Sequence, residues 1–562
     1  MLERVLGRDA DNAQGQAEAT SVVGRVQRGM RQRVSGLAGL IGRHRLFSLA
    51  LGLSVVPRVI VMLGFQPAIL FKLDTYDYLW DSAHLAPNPV NPTGYSLLLW
   101  VLRPFHSLAL VAGLQHLLGL AAAVLVYATL RRLGVRQWIA TLAAVPLLFG
   151  AAELLLEQLI MADLLSMVLM LCGFSVLLLS PSLSVLRSTA AGLLMGASAV
   201  VRPTTLPLIA LMALYLLIRR AGWRRVCAVL VGGAVPVVAY ISWFSAVNGS
   251  FNLSNSNGLF LWSRTMSFAN CAVIKPPADL RALCPEEQPI TRAHPELTGR
   301  LQPKRYLWDH RAWLWQPPTT GLVPDVSAFT EANNSRALRF AVRAIAAEPL
   351  GYAHTVAGDA LKPFTKPIGF LFPLSNGAPG ITGQNKKYAV AAVTAYLGSA
   401  QGLEPYLAAH LGGRVVEPYA HLIRGYQRVF FLPGPVFALI LIVGLAGLLL
   451  PGRRSAAGAM LWLAAVTVLL LPIAEHEYNY RYALPALPLA CMAAALVFRS
   501  RPAVVAATGG DQLPAVRTDP ATGTAGRAGP ADADADETGA AAAGGAGPGL
   551  SGPESSPSAA QP

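Results

Sequence analysis

The chain has 562 residues, of which 54% are hydrophobic and 13% charged, and its mean hydropathy is +0.46. This composition excludes an ordinary soluble domain and predicts an integral membrane protein. The net charge of +15 does not indicate a nucleic-acid partner, because the arginines fall in short groups between apolar runs, as topology signals of membrane proteins do.

The first 45 residues are polar and basic, with arginines at positions 25, 28, 31, 33 and 43. They lack the short apolar core and the small-residue cleavage site of a signal peptide. Residues 1–45 are therefore predicted to form a basic leader on the cytoplasmic side.

Apolar runs long enough to cross the hydrocarbon layer follow the leader. They predict an all-α polytopic membrane protein with about ten transmembrane helices, in an N-terminal membrane module over 46–246 and a C-terminal set of spans over 429–498. The predicted spans cover residues 46–66, 107–130, 137–152, 163–180, 187–201, 203–218, 226–246, 430–450, 457–473 and 483–498.

The basic clusters predict the orientation, because lysine and arginine are retained on the cytoplasmic side. With the N-terminus inside, the basic connections all fall on one side, and they contain Arg131, Arg132, Arg136, Arg187, Arg219, Arg220, Arg224, Arg225, Arg453, Arg454, Arg499 and Arg501. We therefore expect a multi-pass protein of the plasma membrane with both termini in the cytoplasm and with the segments 67–106 and 247–428 outside.

The long segment 247–428 is large enough to form an extracytoplasmic domain of mixed structure. Within it, Leu338, Val342 and Ile345 recur at helical spacing and predict an amphipathic helix that ends near Pro349. Beyond residue 498 the chain is rich in Ala, Gly, Pro and Asp, so 499–562 is predicted to be a disordered cytoplasmic tail.

Cys271 and Cys284 share the long polar segment. In an oxidising compartment they are expected to form a disulfide, and two free thiols are the alternative. The cysteines and histidines show no zinc-like spacing, so the sequence predicts no structural metal site.

A polar stretch after the first apolar run, FKLDTYDYLWDSAHLAPNPVNPTGY from Phe71 to Tyr95, carries three carboxylates. If it is helical, Asp74, Asp77, Tyr78 and Asp81 share one face. Aspartates at a membrane boundary are costly to bury alone, so this face is either washed by solvent or serves a site. The proline-rich turn that follows predicts a short interfacial helix before the second span.

Three other polar stretches lie at ends of predicted spans on the same side. They are LLLEQLIMADLLS with Glu157 and Asp163, Arg202 at the break AVVRP, and EHEYNYRYALPALPL with His476, Tyr480 and Arg481. Interfacial acids, a snorkelling arginine and an aromatic belt anchored by one arginine are the structural alternatives to a site.

Taken together, these motifs resemble the GT-C superfamily of membrane glycosyltransferases that use polyprenyl-phosphate sugars, of the bacterial type, with protein O-mannosyltransferases and lipid A aminoarabinose transferases as the most similar branches. DTYDYL with GYSLLL is similar to the family's first outer loop, and RYALP is similar to the start of its last conserved span. One departure is Asn91-Pro92-Thr93-Gly94, where the mannosyltransferase branch has a His-Pro-Pro type of turn.

The resemblance implies a role for each matching residue. Asp74 is expected to be the catalytic base, and Arg481 and Arg202 to bind the donor phosphate. The acceptor or the sugar is expected to contact Asp77, Tyr78, Glu157, His476 and Tyr480. No cofactor is implied with certainty, and a divalent cation is expected only if the fold brings Asp74 and Glu157 together.

The function expected from the sequence is transfer of a sugar from a polyprenyl-phosphate carrier to an acceptor hydroxyl, outside the membrane and with inversion at the sugar carbon. The acceptor is a protein, a lipid or a polysaccharide. Two alternatives remain at this point: a transporter or flippase, which should show two similar halves, and a non-catalytic scaffold of the cell envelope.

Overall fold

The computed structural model describes residues 42–179, 183–309, 311–315, 328–365, 372–373, 383–398, 413–453 and 455–500. Residues 1–41 of the predicted leader and 501–562 of the predicted tail lie outside the described residues.

The described chain is almost entirely helical. The first half contains α1 Arg45–Leu53, α2 Val55–Gly64, α3 Lys72–His84, α4 Gly94–Leu102, α5 Leu108–Arg132, α6 Gln137–Phe149, α7 Ala151–Gln158, α8 Ala162–Leu179, α9 Val185–Val201, α10 Pro207–Ile218 and α11 Trp223–Asn248. The second half contains α12 Asn257–Thr265, α13 Cys271–Ile274, α14 Pro289–Arg292, α15 Pro303–Trp308, α16 Glu331–Ala347, α17 Pro349–Thr365, α18 Gly383–Leu397, α19 Tyr419–Val429, α20 Gly434–Leu449, α21 Ala456–Glu475 and α22 Tyr480–Val497.

Strands are minimal in the part of the chain that the structure describes. β1, Phe65–Gln66, pairs antiparallel with β2, Arg414–Val415, so that Phe65 faces Val415. Short 3-10 helices occur at Arg103–Phe105, Pro203–Thr205, Arg281–Leu283, Pro285–Glu287, Pro295–Leu297 and Trp313–Trp315.

The helices confirm an all-α polytopic membrane protein, although not the number of spans. Six of the ten predicted runs form helices that are long and apolar enough to cross a membrane: α1 with α2, α5, α8, α11, α21 and α22. Two more runs form helix pairs bent by 50° (α6 with α7) and 51° (α19 with α20), and the remaining two are the shorter apolar helices 185–201 and 203–218. Within the described residues, length and composition thus support six to eight spans.

Glycines, which have no side chain, let helices α9 and α11 approach each other closely. A Cβ on Gly196 of α9 would lie 2.2 Å from the carbonyl oxygen of Gly233 on α11, and a Cβ on Gly192 would lie 2.3 Å from that of Val229. Small residues at such crossings permit the backbone contact on which helix association in membranes depends. This packing fixes the position of Arg202, which follows α9.

Three of the basic connections, those around residues 134, 453 and 500, meet at one end of the bundle. The Gly134 carbonyl accepts a 3.0 Å hydrogen bond from Ser500 N, and Arg453 Nη1 donates to the Val497 carbonyl at 3.1 Å. Because α22 runs about 27 Å from Tyr480 to Val497, Arg481 lies at the opposite end from these connections.

The segment between α11 and α19 contains a separate buried core. Trp262 of α12 and Phe340 of α16 are fully buried in it. The predicted amphipathic helix exists as α16 and ends at Ala347, but its buried residues are Asn334, Ala337, Phe340, Ala341 and Ala344, while Val342 is 56% exposed. The predicted face was therefore right only in part: Leu338 lies on the side of α16 that packs against Gly258, where a Cβ would lie 2.3 Å from the Asn334 carbonyl oxygen and 2.9 Å from Leu338 Cβ.

Cys271 and Cys284 are joined by a disulfide, with their Cα atoms 6.0 Å apart. The bridge connects α13 to the 3-10 helix Pro285–Glu287, and Cys284 is buried in the same core as Trp262.

Candidate active site

The polar stretch after the first span forms helix α3, and its first turn is held in place by Thr75. Thr75 Oγ1 accepts a hydrogen bond from Phe71 N at 2.7 Å and donates to the Ile160 carbonyl at 2.9 Å. Asp74 therefore projects from a fixed helix start, with 31% of its side chain exposed.

Arg481 meets Asp74 from the first turn of α22. Asn479 caps this helix by accepting a 3.2 Å hydrogen bond from Arg481 N on its Oδ1. Both Nη atoms of Arg481 lie 3.4 Å from Asp74 Oδ2. The guanidinium also lies over the ring of Phe71, 4.2 Å from its centroid, so an aromatic face and a carboxylate position it together.

Asp163 and Arg202 extend this contact. Arg202 Nη2 lies 2.6 Å from Asp163 Oδ2, and Arg481 Nη1 lies 3.6 Å from the same oxygen. Asp74, Arg481, Asp163 and Arg202 thus form an alternating arrangement of charges, here called the charge row. Asp163 and Arg481 are its buried middle, with 4% and 7% of their side chains exposed.

The charge row is formally neutral, yet both arginines retain unused donors. Nε of Arg481 and Nε of Arg202 are buried without a hydrogen-bond partner among the described residues. Each guanidinium has five N–H donors, and buried donors without partners cost free energy. The row therefore has spare capacity to bind oxygen atoms of an anion.

Tyr78 lies one turn after Asp74 and is 1% exposed. Its ring packs edge to face on Tyr95 with centroids 5.2 Å apart, and Tyr95 Oη donates to Gln115 Oε1 at 2.7 Å. Burial raises the pKa of Tyr78, and this effect outweighs the nearby charge of Arg202, which lowers it. Tyr78 therefore forms a neutral aromatic wall near the charge row.

Asp77 and Asp81 share the face of α3 as predicted, but this face is not washed by solvent. Asp77 is 6% exposed and accepts a 2.9 Å hydrogen bond from Tyr388 Oη. Asp81 is 3% exposed, and Asn88 Nδ2 donates to its Oδ1 at 3.2 Å. Burial, and then the charge of Asp77, raises the pKa of Asp81 well above its ordinary value of 3.8.

Replacement of Asp81 by asparagine is expected to stabilise the protein at neutral pH, because an amide avoids the cost of ionising a carboxyl that is buried beside Asp77. The folded carboxyl holds its proton where the unfolded one releases it, so the wild type loses stability as the pH rises above 3.8. Thermal unfolding of both proteins between pH 4 and 7 measures the difference. If the difference in unfolding temperature between Asp81→Asn and the wild type does not become smaller towards low pH, the prediction is contradicted. Asp279→Asn at the surface is the control.

Glu157 lies in a different buried network. Arg58 Nη2 lies 2.7 Å from its Oε1, and His116 Nδ1 lies 2.7 Å from its Oε2. Glu157 is 1% exposed, and a Cβ on Gly119 would lie 1.8 Å from its Oε1. The structure thus places Glu157 against α2 and α5 and not in the charge row. Its oxygens are already engaged, so it does not supply the second ligand that a cation at Asp74 was expected to need.

Among the described residues, one group of at least three potential metal ligands lies within 4.8 Å, and it consists of Cys271, Cys284 and Glu286. Its two cysteines are joined in the disulfide, so neither is a thiolate that a metal ion requires.

His476 contacts α12 in the segment after α11. Its Nδ1 lies 2.9 Å from Ser263 Oγ, and its ring packs on Phe260 with centroids 5.1 Å apart. Burial, followed by the charges of Arg264 and Lys304, lowers the pKa of His476 from 6.5 to about 3. The histidine is therefore neutral and fastens the turn before Arg481 to α12.

Replacement of His476 by glutamine is expected to make thermal stability less dependent on pH between about 6.5 and 5. The unfolded histidine binds a proton below 6.5 while the folded one remains neutral down to about 3, so stability is lost as the pH falls. Unfolding temperatures across this window test the prediction, with the exposed His294→Gln as the control. If the unfolding temperatures of the wild type and His476→Gln change equally with pH, the prediction is contradicted.

Tyr480 precedes Arg481 at the start of α22 and packs, partly buried, against the core around α3. Of the residues predicted to form the site, the structure brings Asp74, Arg481 and Arg202 into one row. It adds Asp163, which the sequence had only placed near Glu157, and Phe71, which no sequence signal distinguished from an ordinary interfacial aromatic.

No protein-family model and no curated protein matches the chain. Solved structures that it resembles include the protein O-mannosyltransferase Pmt1–Pmt2 complex of S. cerevisiae bound to the sugar donor, at 17% identity and a TM-score of 0.30, over 40% of this chain and 36% of that chain. The oligosaccharyltransferase of Archaeoglobus fulgidus in the apo form matches at 13% identity and a TM-score of 0.33, over 79% of this chain and 50% of that chain.

A third match is ArnT from Cupriavidus metallidurans bound to undecaprenyl phosphate, at 14% identity and a TM-score of 0.27, over 82% of this chain and 77% of that chain. The chain thus spans about a third to a half of the length of the first two. Matches at these identities and TM-scores do not assign an activity to this chain.

Proposed function

We propose that this chain is a membrane glycosyltransferase of the GT-C kind, which transfers a sugar from a polyprenyl-phosphate carrier to an acceptor hydroxyl on the outer side of the plasma membrane. The observation that carries the proposal is the charge row, which combines a partly exposed carboxylate with two arginines at the end of the helix bundle opposite the basic connections.

The arginines supply what the leaving group needs. When the bond between the sugar and the phosphate breaks, the phosphate oxygen takes the electron pair and negative charge increases there. Arg481 and Arg202 are placed to stabilise this charge, since a guanidinium forks onto two phosphate oxygens and binds them with charge-assisted hydrogen bonds. Their unused Nε donors support this role.

Asp74 supplies the base. It takes the proton of the acceptor hydroxyl while that oxygen forms the new bond to the anomeric carbon, opposite the departing phosphate. A single displacement of this kind inverts the configuration at the sugar carbon. The 31% exposure of the Asp74 side chain gives an acceptor access to it, whereas Asp163 is enclosed.

The acceptor and the sugar are proposed to contact the residues around Asp74. Asp77, Tyr78 and Tyr480 lie on the helices that carry the charge row, and His476 fastens the turn before Arg481 to α12. Loops on a rigid scaffold commonly determine specificity, so the segment 247–428 is proposed to select a protein, lipid or polysaccharide acceptor.

The proposal is tested with the purified protein in lipid vesicles and a panel of labelled polyprenyl-phosphate sugars. We expect transfer from at least one donor to an added acceptor or to water, and none from the matching nucleotide sugars. Movement of the donor across the bilayer without cleavage of the sugar–phosphate bond would support a flippase instead. Absence of binding to every donor would support a scaffold.

A further inference from the structure

Arg481 is shared between two carboxylates and bound closely by neither. Its Nη atoms lie 3.4 Å from Asp74 Oδ2, and Nη1 lies 3.6 Å from Asp163 Oδ2. Arg202, in contrast, lies 2.6 Å from Asp163. Asp163 thus has a close partner of its own, while the contact with Asp74 is at the long limit of a hydrogen bond.

The unused Nε donor of Arg481 is buried, so a phosphate that forks onto this guanidinium must also engage an Nη atom, and Asp74 now faces both of them. The outer edge of the Arg481 guanidinium, formed by its two Nη atoms, points at Asp74 Oδ2, so an anion binding that edge competes with the carboxylate for the same N–H groups. Two negative groups on one guanidinium edge also repel each other. One of them must withdraw, or the phosphate binds weakly.

The structure indicates which carboxylate withdraws. Asp163 is 4% exposed and paired with Arg202, so moving it would leave a buried charge without a partner. Asp74 has 31% of its side chain exposed, so water or an acceptor hydroxyl can replace Arg481 as its partner at little cost. Asp74 is therefore the carboxylate that withdraws from Arg481.

We propose that the contact between Arg481 and Asp74 is a latch that the donor phosphate opens. Without donor, Arg481 holds the carboxylate; with donor, the phosphate takes the Nη atoms and leaves Asp74 free to accept the proton of the acceptor hydroxyl. The inference rests on the proposed function, and it implies that the donor binds before the acceptor.

The test measures binding of a polyprenyl phosphate without sugar to the purified protein in nanodiscs. Asp74→Asn is expected to bind it about fivefold more tightly than the wild type, because a partly exposed ion pair is worth up to about 1 kcal/mol. Asp279→Asn, which removes the same charge from an exposed pair with Arg339, is expected to bind as the wild type does.

A double-mutant cycle separates competition for Arg481 from plain repulsion by Asp74. In an Arg481→Gln background, Asp74→Asn is expected no longer to tighten binding of the polyprenyl phosphate. If Asp74→Asn tightens binding equally in both backgrounds, the latch is overturned. If Arg481→Gln does not fold, the lipid alcohol without phosphate replaces the cycle: Asp74→Asn should not tighten its binding, and a gain for the alcohol overturns the latch.

The outcomes also distinguish the latch from the proposed function. If Asp74→Asn loses transfer but binds the polyprenyl phosphate no more tightly than the wild type, the latch is wrong and the assignment of the base stands. If the wild type transfers sugar from no polyprenyl-phosphate donor, the proposed function fails whatever the binding data give.

Discussion

Replacement of Asp74 by asparagine is expected to lower the rate of sugar transfer by at least about 10²-fold while the protein remains folded. A positioned general base contributes about 10²–10⁴ to a rate, and the amide of asparagine cannot take the proton of the acceptor hydroxyl. The side chain keeps its shape, and its contact with Arg481 is long at 3.4 Å, so little stability should be lost.

The measurement is single-turnover transfer from a saturating donor, compared between the wild type, Asp74→Asn and the surface control Asp279→Asn. Gel filtration and unfolding temperatures establish that the variants are folded. A rate for Asp74→Asn within about twofold of the wild type would remove Asp74 from the mechanism, whatever the donor proves to be.

Replacement of Glu157 by alanine is expected to have the largest effect on stability, about 3–5 kcal/mol, because removal of one partner of a buried ion pair leaves the other charge uncompensated. Arg58 is 3% exposed and His116 is 3% exposed, and both face the Glu157 carboxylate at 2.7 Å. The loss should appear as poor accumulation and a lowered unfolding temperature, even where donor is present.

The matched control is Glu296→Ala, since the Glu296 side chain is 64% exposed beside His294. If Glu157→Ala accumulates and unfolds as the wild type does but no longer transfers sugar, Glu157 belongs to the active site, as the sequence resemblance implied, and its place in the Arg58 network is incidental.

Much of the fold could be predicted because the physical signal is local. In a membrane, an apolar run satisfies its own backbone hydrogen bonds only as a helix, so each of the ten apolar runs was correctly predicted to be helical. Whether a helix of 17 residues or a pair bent at Gly150 crosses the bilayer depends on neighbouring helices, and the number of spans was therefore not predictable.

The candidate active site could be predicted only in part, since its residues come from four distant parts of the chain. The position of Asp74 after the first span and of Arg481 before the last one favoured a shared end of the bundle. The choice between Glu157 and Asp163 was harder. Helix α7 ends at Gln158 and α8 begins at Ala162, so a break separates the two acids and helical spacing cannot relate their directions.

The packing of His476 on α12 could not be predicted for a related reason. It precedes α22 by four residues and was predicted to contact the acceptor or the sugar. It is the C-terminal flanking residue of α21, and its Nδ1 lies 2.9 Å from Ser263 Oγ. The sequence of a polar cluster does not show that one of its residues ends one helix while another begins the next helix.

The most direct test of the proposed active site is an experimental structure with a non-transferable polyprenyl-phosphate sugar bound. We expect the phosphate beside Arg481 and Arg202, the anomeric carbon facing Asp74, and the Asp74 carboxylate withdrawn from Arg481. A phosphate bound elsewhere, with Asp74 and Arg481 still in contact, would contradict the proposed site.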